Sequence, residues 1–425
     1  GAKWFDGLLF NFAENILRIK SDKAAIIFQS ENADSKIISY NELYDEVEKV
    51  ASTLRKMGIK NGDRIVGIMP NLPETVIAML ATTSIGAIWS SCSPDFGTQG
   101  ILDRFTQINP KIIFASDGYF YKSKSFDSLN KLKNLLNQLP SVRKVIITPF
   151  VRENPDISSI NNSLVWNDFI DPKPNPIIFE QVPFDHPLYI MYSSGTTGKP
   201  KSIVHGAGGT LIQHLKELRL HADININDTV FYFTTCGWMM WNWLVSNLAI
   251  GSTILLYDGS PFHPDRNSMW DMIDNYKVSH FGTSPKFLET CRDTKLSPIK
   301  THSLKSLKSI LSTGSPLVEE CFEYVYKHIK KNIQLSSISG GTDIISCFAL
   351  GNPILPVING EIQCLGLGMD VAAFNKNGED LVNKKGELVC KKAFPSMPVY
   401  FWNDKNGKEF FDAYFNKFKN VWHHG

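Results

Sequence analysis

The chain has 425 residues, more than one hydrophobic core usually supports, so we expect two or three sub-cores. Apolar residues make up 43% of the chain and charged residues 20%, which is typical of globular proteins and unlike disordered or membrane proteins. The net charge of +2 gives no indication that nucleic acid or an anionic membrane is a partner. No apolar run approaches the roughly 20 residues that a membrane span needs.

The cysteines are odd in number, widely spaced and without a CxxC pair. They are Cys92, Cys236, Cys291, Cys321, Cys347, Cys364 and Cys390. This pattern indicates reduced thiols, with neither a disulfide framework nor a zinc site. Because no signal peptide pattern follows the first residues, we expect a cytoplasmic protein.

The first third of the chain alternates between predicted helices and strands. Ser39 and Glu42 form a capping pattern at the start of an amphipathic helix that Gly58 ends. The apolar run 64–69 predicts a strand, and Pro73 suits the first turn of the next helix. Further buried strands are predicted at residues 87–89, 111–115 and 145–147. Strands separated by helices predict βαβ units and a mainly parallel sheet.

The rest of the chain predicts a second α/β unit and a compact β-rich region. A proline-rich connector, residues 149–187, precedes the apolar strand 188–192. Short strands punctuated by glycine follow residue 350, at residues 360–362, 369–374 and 386–390. We therefore predict an α/β fold with two α/β subdomains and a small barrel-like subdomain, divided as residues 1–187, 188–350 and 351–425.

The string YSSGTTGKPK at residues 192–201 is the strongest local signal. Glycines leave backbone amides unobstructed, hydroxyls act as donors and a lysine supplies positive charge, which together suit phosphate oxygens. The predicted phosphate-binding residues are Ser193, Ser194, Gly195, Thr196, Thr197, Gly198 and Lys199.

The string is neither a Walker A loop nor a plain surface turn. Walker A requires glycine where Ser193 stands and a hydroxyl residue where Pro200 stands. A polar hairpin turn is the alternative, but the density of glycines, hydroxyls and lysine favours phosphate binding.

This string resembles the signature loop of the adenylate-forming superfamily, which includes acyl-CoA synthetases, firefly luciferases and peptide-synthetase adenylation domains. The resemblance implies that the loop holds the β- and γ-phosphates of ATP while a carboxylate attacks the α-phosphorus. Stabilising the departing pyrophosphate is electrostatic catalysis, with Mg²⁺ as the usual helper.

Two glycine-rich segments follow in the order that this family shows. Residues 311–317 resemble its Gly-Glu-Pro segment, which implies that Gly314, Ser315 and Pro316 lie against adenine. Residues 339–343 occupy the place of its Gln-Thr-Glu motif. By resemblance, Ser339, Gly340, Gly341 and Thr342 bind nucleotide, and Asp343 binds the metal. The implied catalytic residues are Thr197, Lys199, Thr342 and Asp343.

Residues 234–243 contain three tryptophans and follow a predicted strand. Aromatic residues most often form cores. Their position matches the family's aromatic pocket motif, which favours an acid-binding pocket. The implied pocket residues are Trp238, Met239, Met240, Thr313 and Gly340.

The N-terminal residues 4–7 and 11–15 resemble the opening of the acetyl- and acetoacetyl-CoA synthetase branch. In acetyl-CoA synthetases a tryptophan stands at the position of Gly340, so the glycine implies space for a four-carbon acid. We expect an ATP-dependent acid:CoA ligase that favours acetoacetate, with butyrate and acetate as alternatives. CoA is implied by the branch. Lys122 and Lys124 could meet its phosphates, although ordinary surface lysines are the preferred interpretation.

In the family, the residue after the position of Gly425 is a ribose-binding aspartate. A smaller C-terminal domain with an adenylation lysine comes later. We therefore expect these 425 residues to be the large N-terminal domain, with little adenylation activity alone. The alternatives are a nucleotide-binding module without chemistry, a luciferase-like oxidoreductase and a P-loop NTPase. His205 is predicted to be structural, because an ionised carboxylate needs no general base.

Overall fold

The structure is a computed structural model that describes residues 2–32, 35–193 and 198–424. Two large, mainly parallel sheets with helices between their strands form most of it, and smaller antiparallel sheets complete it. The mixed α/β class predicted from the alternating pattern is confirmed.

Within the described residues, the first sheet has eight strands. In spatial order they are Ser163–Val165, Lys144–Thr148, Ile112–Ser116, Arg64–Ile68, Ile88–Cys92, Pro187–Ser193, Lys201–Gly206 and Tyr400–Phe401. Neighbouring strands are parallel up to Pro187–Ser193. The last two strands join antiparallel. The predicted strands at 64–69, 111–115, 145–147 and 188–192 are therefore confirmed.

The second sheet has seven strands in the part of the chain that the structure describes. In spatial order they are Gln334–Ser337, Ser309–Ser312, His280–Thr283, Thr229–Tyr232, Thr253–Asp258, Ala24–Ser30 and Lys36–Ser39. Every pair is parallel except the last. The carboxyl ends of the parallel strands therefore lie along one edge of the sheet.

The chain exchanges strands between the two large sheets. Residues 24–39, near the N-terminus, add two strands to the second sheet, whereas residues 187–206 add two strands to the first sheet. The predicted subdomain boundary at residue 187 does not mark a passage from one large sheet to the other, because the strand Pro187–Ser193 still belongs to the first sheet. The division into residues 1–187, 188–350 and 351–425 stays a prediction.

Local sequence chemistry explains where the helices begin. The Ser39 hydroxyl accepts a hydrogen bond from the Glu42 amide at 3.1 Å, and the Glu42 carboxylate accepts one from the Ser39 amide at 2.7 Å. This is the predicted capping box. Pro73 occupies the first turn of its helix, as predicted. The α-helices are Phe12–Ile16, Tyr40–Lys56, Pro73–Ser84, Thr98–Ile108, Leu129–Leu136, Trp166–Phe169, Ala207–Lys216, Met239–Ser246, Ser268–Asn275, Pro285–Asp293, Glu319–Tyr324 and Lys408–Tyr414.

Several helices continue as, or are joined by, short turns of other helix types. The π-helical segments are Glu217–His221 and Val325–Ile329, and the 3-10 segments are Asn247–Ile250, Pro298–Lys300 and Thr342–Ile344.

The small sheets differ in part from the sequence prediction. Leu9–Phe10 pairs with Val182–Pro183, and Gly118–Tyr121 pairs with Lys124–Asp127. In the third small sheet, Ser346–Leu350 lies between Ser339–Gly341 and Cys364–Leu365. In the fourth, the spatial order is Asp380–Leu381, Val371–Phe374, Glu387–Cys390 and Trp422–His423. The predicted strand at 360–362 is wrong, because Gly360 adopts φ +78° in a turn. The helix Lys408–Tyr414 was not predicted. It packs Phe410 and Tyr414 against Trp422.

The largest hydrophobic cluster joins the two large sheets. Trp89 and Tyr189 of the first sheet belong to the same buried cluster as Tyr232 of the second sheet and Trp241. A second cluster lies on the far side of the second sheet, and a third covers the outer face of the first. None of the helices in the described part of the chain is long and apolar enough to cross a membrane.

Buried neutral histidines make the stability of this core depend on pH. Burial lowers the pKa of His205 to about 3 and that of His214 to about 4. Each is depressed relative to an unfolded value near 6.5, so the stabilisation is present above pH 6.5 and is lost as the pH falls towards 4. We expect each histidine to lower the free energy of unfolding by about 2 kcal/mol between pH 7 and pH 5.

The variant His214→Gln tests this pH dependence. In the protein, His214 contacts the Ser246 hydroxyl at 2.8 Å and the Ile345 carbonyl oxygen at 2.9 Å, contacts that an amide can reproduce. The free energy of unfolding, measured at pH 7 and at pH 5, is expected to fall less between these two pH values in this variant than in the wild type. The partly exposed His328→Gln is the control. An unchanged loss in His214→Gln would contradict the account.

Candidate active site

One cavity lies at the edge where parallel strands of the second sheet end. Its volume is about 440 Å³, within the usual range of small-molecule sites. The segments that follow Thr229–Tyr232, Ser309–Ser312 and Gln334–Ser337 form its walls. Ligands of open α/β sheets commonly bind at this edge.

The cavity brings together the downstream residues predicted from sequence. These are Trp238, Met239, Met240, Thr313, Gly314, Ser315, Pro316, Ser339, Gly340, Gly341 and Thr342. They come from three segments that are distant along the chain. Their roles in binding stay predictions, but their common location is a property of the fold.

Sequence reasoning missed several residues of the same cavity. Leu317, Cys347, Gly360 and Ile362 also line it. Cys347 lies on the strand Ser346–Leu350, which pairs with Ser339–Gly341. No signal in the sequence pointed to Cys347. Its place in the cavity follows from the pairing of its strand with the predicted motif, and that pairing is known only from the structure.

The tryptophan-rich segment is divided between pocket and core. Trp238 packs edge-on against Tyr232 with ring centroids 5.9 Å apart and lines the cavity. Trp241 and Trp243 lie on the helix Met239–Ser246 and are buried in the cluster that joins the two large sheets. Trp241 donates to the Asn71 side chain at 2.9 Å. The segment therefore contributes to both the cavity wall and the core, and its role in binding an acid stays a prediction.

A hydrogen bond ties two walls of the cavity together. The Thr313 hydroxyl donates to the Ile338 carbonyl oxygen at 2.9 Å. Gly314 follows at φ +103°, a conformation that favours glycine, and a Cβ there would lie 3.7 Å from the Trp238 ring. The predicted adenine wall thus lies directly beside the aromatic wall.

Gly340 lies close against the neighbouring strand. An ideal Cβ on Gly340 would lie 2.2 Å from the Ser346 carbonyl oxygen and 2.8 Å from the Cys347 Cα. A side chain built on this backbone would therefore point at the strand, which is not the geometry that the pocket-widening argument assumed. The preference for a four-carbon acid stays a prediction.

The predicted phosphate loop is described in part. Ser193 ends the strand Pro187–Ser193, and Gly198 and Lys199 are exposed. The intervening Ser194, Gly195, Thr196 and Thr197 lie outside the described residues. The strand that leads into the loop packs against the turn Thr342–Ile344. The fold therefore brings the strand that precedes the loop close to the turn that Thr342 begins.

Asp343 is anchored by an aromatic residue from the C-terminal region. The Tyr414 hydroxyl donates to Asp343 Oδ1 at 2.5 Å, and the Tyr414 ring stacks on Trp422 with centroids 3.8 Å apart. Burial, with the nearby Asp343 carboxylate, raises the pKa of Tyr414. The hydroxyl therefore stays protonated and keeps donating to Asp343 at neutral pH.

The surroundings of Asp343 fit a magnesium ion that is shared with phosphate. Its Oδ2 accepts no hydrogen bond from residues 2–32, 35–193 or 198–424. In the same ranges, no group of three or more His, Cys, Asp or Glu side chains could hold a metal ion. Mg²⁺ is usually held by one or two carboxylates together with substrate phosphates, so a lone carboxylate is sufficient.

The chain belongs to the AMP-binding enzyme family, whose model matches residues 12–401. Within that family, it is similar along its whole length to acetoacetyl-CoA synthetases. It is 51% identical over 432 residues to the acetoacetyl-CoA synthetase of Gallus gallus, covering 100% of this chain and 65% of the relative. It is 50% identical over 426 residues to the acetoacetyl-coenzyme A synthetase of Rhizobium meliloti (strain 1021), again covering 100% and 65%.

A solved structure shows the same similarity. The acetoacetyl-CoA synthetase from Streptomyces lividans superimposes with a TM-score of 0.95 at 41% sequence identity, covering 100% of this chain and 66% of that chain. The chain thus spans about two thirds of the length of the relatives that it matches.

The close approach at Gly340 gives a direct test of the cavity wall. In Gly340→Ala the new methyl group overlaps backbone atoms of Ser346, which cannot move as a flexible side chain can. We expect the free energy of unfolding to fall by about 2 kcal/mol. Denaturant unfolding measures the change.

Gly100→Ala is the matched control for this substitution. A Cβ on Gly100 would meet the Arg104 side chain at an ordinary 3.6 Å, within the helix Thr98–Ile108. Alanine there is expected to be neutral or stabilising, because it favours helix. Equal stability of Gly340→Ala and the wild type would show that the wall is not packed as described.

Proposed function

We propose that this protein takes part in the ATP-dependent ligation of a short-chain carboxylic acid to CoA, with acetoacetate as the acid. The products are acetoacetyl-CoA, AMP and pyrophosphate. The observation that carries the proposal is the single cavity that unites the predicted adenine wall, the predicted acid pocket and Thr342. The relatives named acetoacetyl-CoA synthetase support the choice of acid.

In the first step, a carboxylate oxygen of the acid attacks the α-phosphorus of ATP. The bond between the α-phosphorus and the bridging oxygen breaks, and pyrophosphate leaves with its electron pair. The acid is already ionised at neutral pH, so the step needs no general base. The protein's contribution is to align the two reactants and stabilise the charge that accumulates on the departing group.

The residues divide between these two tasks. The walls formed by Gly314, Ser315 and Pro316 and by Trp238, Met239 and Met240 hold the nucleotide and the acid beside each other. Thr342, which lines the same cavity, would donate to the α-phosphate. Ser193 and Lys199, with the residues between them, hold the pyrophosphate end. Lys199 is exposed, so its side chain is accessible to a charged ligand that arrives from solvent.

Asp343 would hold magnesium, with Tyr414 fixing the orientation of its carboxylate. When bound, the ion would neutralise charge on the phosphates. The chain's own part in this step is to keep one carboxylate oxygen free and directed away from Tyr414.

In the second step, the CoA thiolate attacks the acyl carbon, the bond to the AMP oxygen breaks and AMP leaves. The thiol proton passes to solvent. Lys122 and Lys124 lie on the exposed hairpin Gly118–Tyr121 and Lys124–Asp127. Their contact with CoA phosphates remains the weaker alternative to a role as surface lysines.

Pyrophosphate exchange into ATP measures the first step directly. With the full-length protein, we expect exchange to depend on the acid in the order acetoacetate, butyrate, acetate. A misfitted methylene costs roughly 1–3 kcal/mol of discrimination, so acetate is expected to be at least about tenfold poorer in kcat/KM. Equal or greater activity with acetate would contradict the choice of acid. ATP binding without exchange on any acid would favour a nucleotide-binding module.

Substitution of Asp343 tests the proposed metal ligand. Asp343→Asn keeps the shape and the bond from Tyr414 but removes the charge. We expect exchange to fall on the order of 100-fold at limiting Mg²⁺, with partial recovery as Mg²⁺ is raised. Asp370→Asn, which removes a surface carboxylate 3.8 Å from Lys391 and Lys392, is the control. A fall in exchange by Asp343→Asn that is equally large at low and high Mg²⁺ would contradict the assignment of Asp343 as the metal ligand.

A further inference from the structure

A buried carboxyl group lies behind the wall of the cavity and outside the cavity lining. Glu217 is fully buried and begins the π-helical segment Glu217–His221 that extends the helix Ala207–Lys216. Neither the sequence motifs nor the proposed chemistry uses it. Because an isolated buried carboxylate is very costly, its partners should explain why it is there.

Four donors surround the two carboxyl oxygens of Glu217. Oε1 accepts from the Ser346 hydroxyl at 2.5 Å and from the Cys347 amide at 3.0 Å. Oε2 accepts from the Trp243 indole nitrogen at 3.1 Å and from the Cys347 thiol at 3.5 Å. An ionised carboxyl only accepts hydrogen bonds, so this set of donors matches it. Lys216 adds an ion pair at 3.6 Å.

These donors belong to two different walls of the cavity. Ser346 and Cys347 lie on the strand Ser346–Leu350, and Cys347 itself lines the cavity. Trp243 lies on the helix whose first residues, Met239 and Met240, line it from another side. One carboxyl group therefore fixes the distance between the strand wall and the helix wall.

The strand wall carries this position to Gly340, which the sequence assigns to the acid pocket. Gly340 pairs with Cys347 and Gly341 with Ser346. Because these residues are paired in one antiparallel ladder, a displacement of the strand Ser346–Leu350 would shift Gly340 with it. Burial raises the pKa of the Cys347 thiol well above its usual value, so the thiol remains a donor to Glu217.

Stability alone is a weak explanation for such a group. Replacing a buried ionic network with well-packed apolar residues is often neutral or stabilising. What a fully satisfied network does provide is a single arrangement of the elements that it joins. Here those elements are the two walls that would contact the acid.

We propose that Glu217 is a positioning residue that sets the fit of the acid pocket from behind, by holding Cys347 and Trp243 at a fixed separation. The inference rests on the proposed ligase function. It assigns to Glu217 no contact with the acid, ATP or CoA.

Glu217→Gln tests the proposal in the full-length protein. Glutamine has nearly the same volume as glutamate, but its side-chain nitrogen is a donor. Because both carboxyl oxygens of Glu217 accept from donors, that nitrogen would face a donor in either orientation of the amide. We expect the KM for the acid in pyrophosphate exchange to rise about tenfold, while the KM for ATP stays within about twofold. The difference between the two KM values is the readout that a general loss of stability would not produce.

Asp228→Asn is the matched control. Asp228 is also a buried acid, held by Lys308 at 2.7 Å and by the Asn225 amide at 2.8 Å. It lies before the amino end of Thr229–Tyr232, at the opposite edge of the second sheet from the cavity. Its variant is expected to lose stability without a change in the KM for the acid.

Ser346→Ala serves as a milder second variant in case Glu217→Gln does not fold. It removes one of the four donors and is expected to raise the KM for the acid in the same direction by a smaller factor. Unchanged KM for the acid in Glu217→Gln, or in Ser346→Ala if the first variant does not fold, would overturn the proposal.

The failure of this proposal is distinguishable from failure of the proposed function. Exchange by the wild type with acetoacetate tests the function alone. The variants are compared on whichever short-chain acid the wild type activates best, so the role of Glu217 is decided even if that acid is not acetoacetate.

Discussion

The site depends on the parallel arrangement of the second sheet. In parallel strands the carboxyl ends share one edge, so the segments that follow Thr229–Tyr232, Ser309–Ser312 and Gln334–Ser337 meet there. Those segments carry the aromatic wall, the Gly314 turn and the Thr342 motif. Had the sheet been antiparallel, alternate segments would lie at the opposite edge and no common cavity could form.

Around that edge, backbone packing sets the shape of the cavity more than side-chain volume does. The close contact of Gly340 with Ser346 leaves no room for a side chain on that backbone. The Thr313 hydroxyl bonded to Ile338 joins two loops, and Glu217 joins the strand wall to the helix wall from behind. Tyr414 extends the same principle to Asp343, through a helix that packs on Trp422.

Local features could be predicted from the sequence because they depend on neighbours along the chain. The capping box at Ser39, the helix start at Pro73 and the apolar strands all arise from residues a few positions apart. The motif residues of the cavity could be named because each motif is contiguous and resembles a segment of the adenylate-forming superfamily.

Features that depend on distant pairing could not be predicted. Glu217 and Cys347 are 130 residues apart, and no pattern in either segment points to the other. The strands Ala24–Ser30 and Lys36–Ser39 join the second sheet, although the next strands along the chain, Arg64–Ile68 and Ile88–Cys92, join the first. The orientation of Gly340 follows from the partner strand, and the burial of Trp241 and Trp243 follows from the helix on which they lie.

The most direct measurement is a crystal structure of the protein with Mg²⁺ and a non-hydrolysable ATP analogue. The account predicts adenine against Gly314, Ser315 and Pro316, the α-phosphate beside Thr342, and the outer phosphates beside Ser193 and Lys199. An analogue bound away from this edge of the second sheet, with the cavity empty, would contradict it.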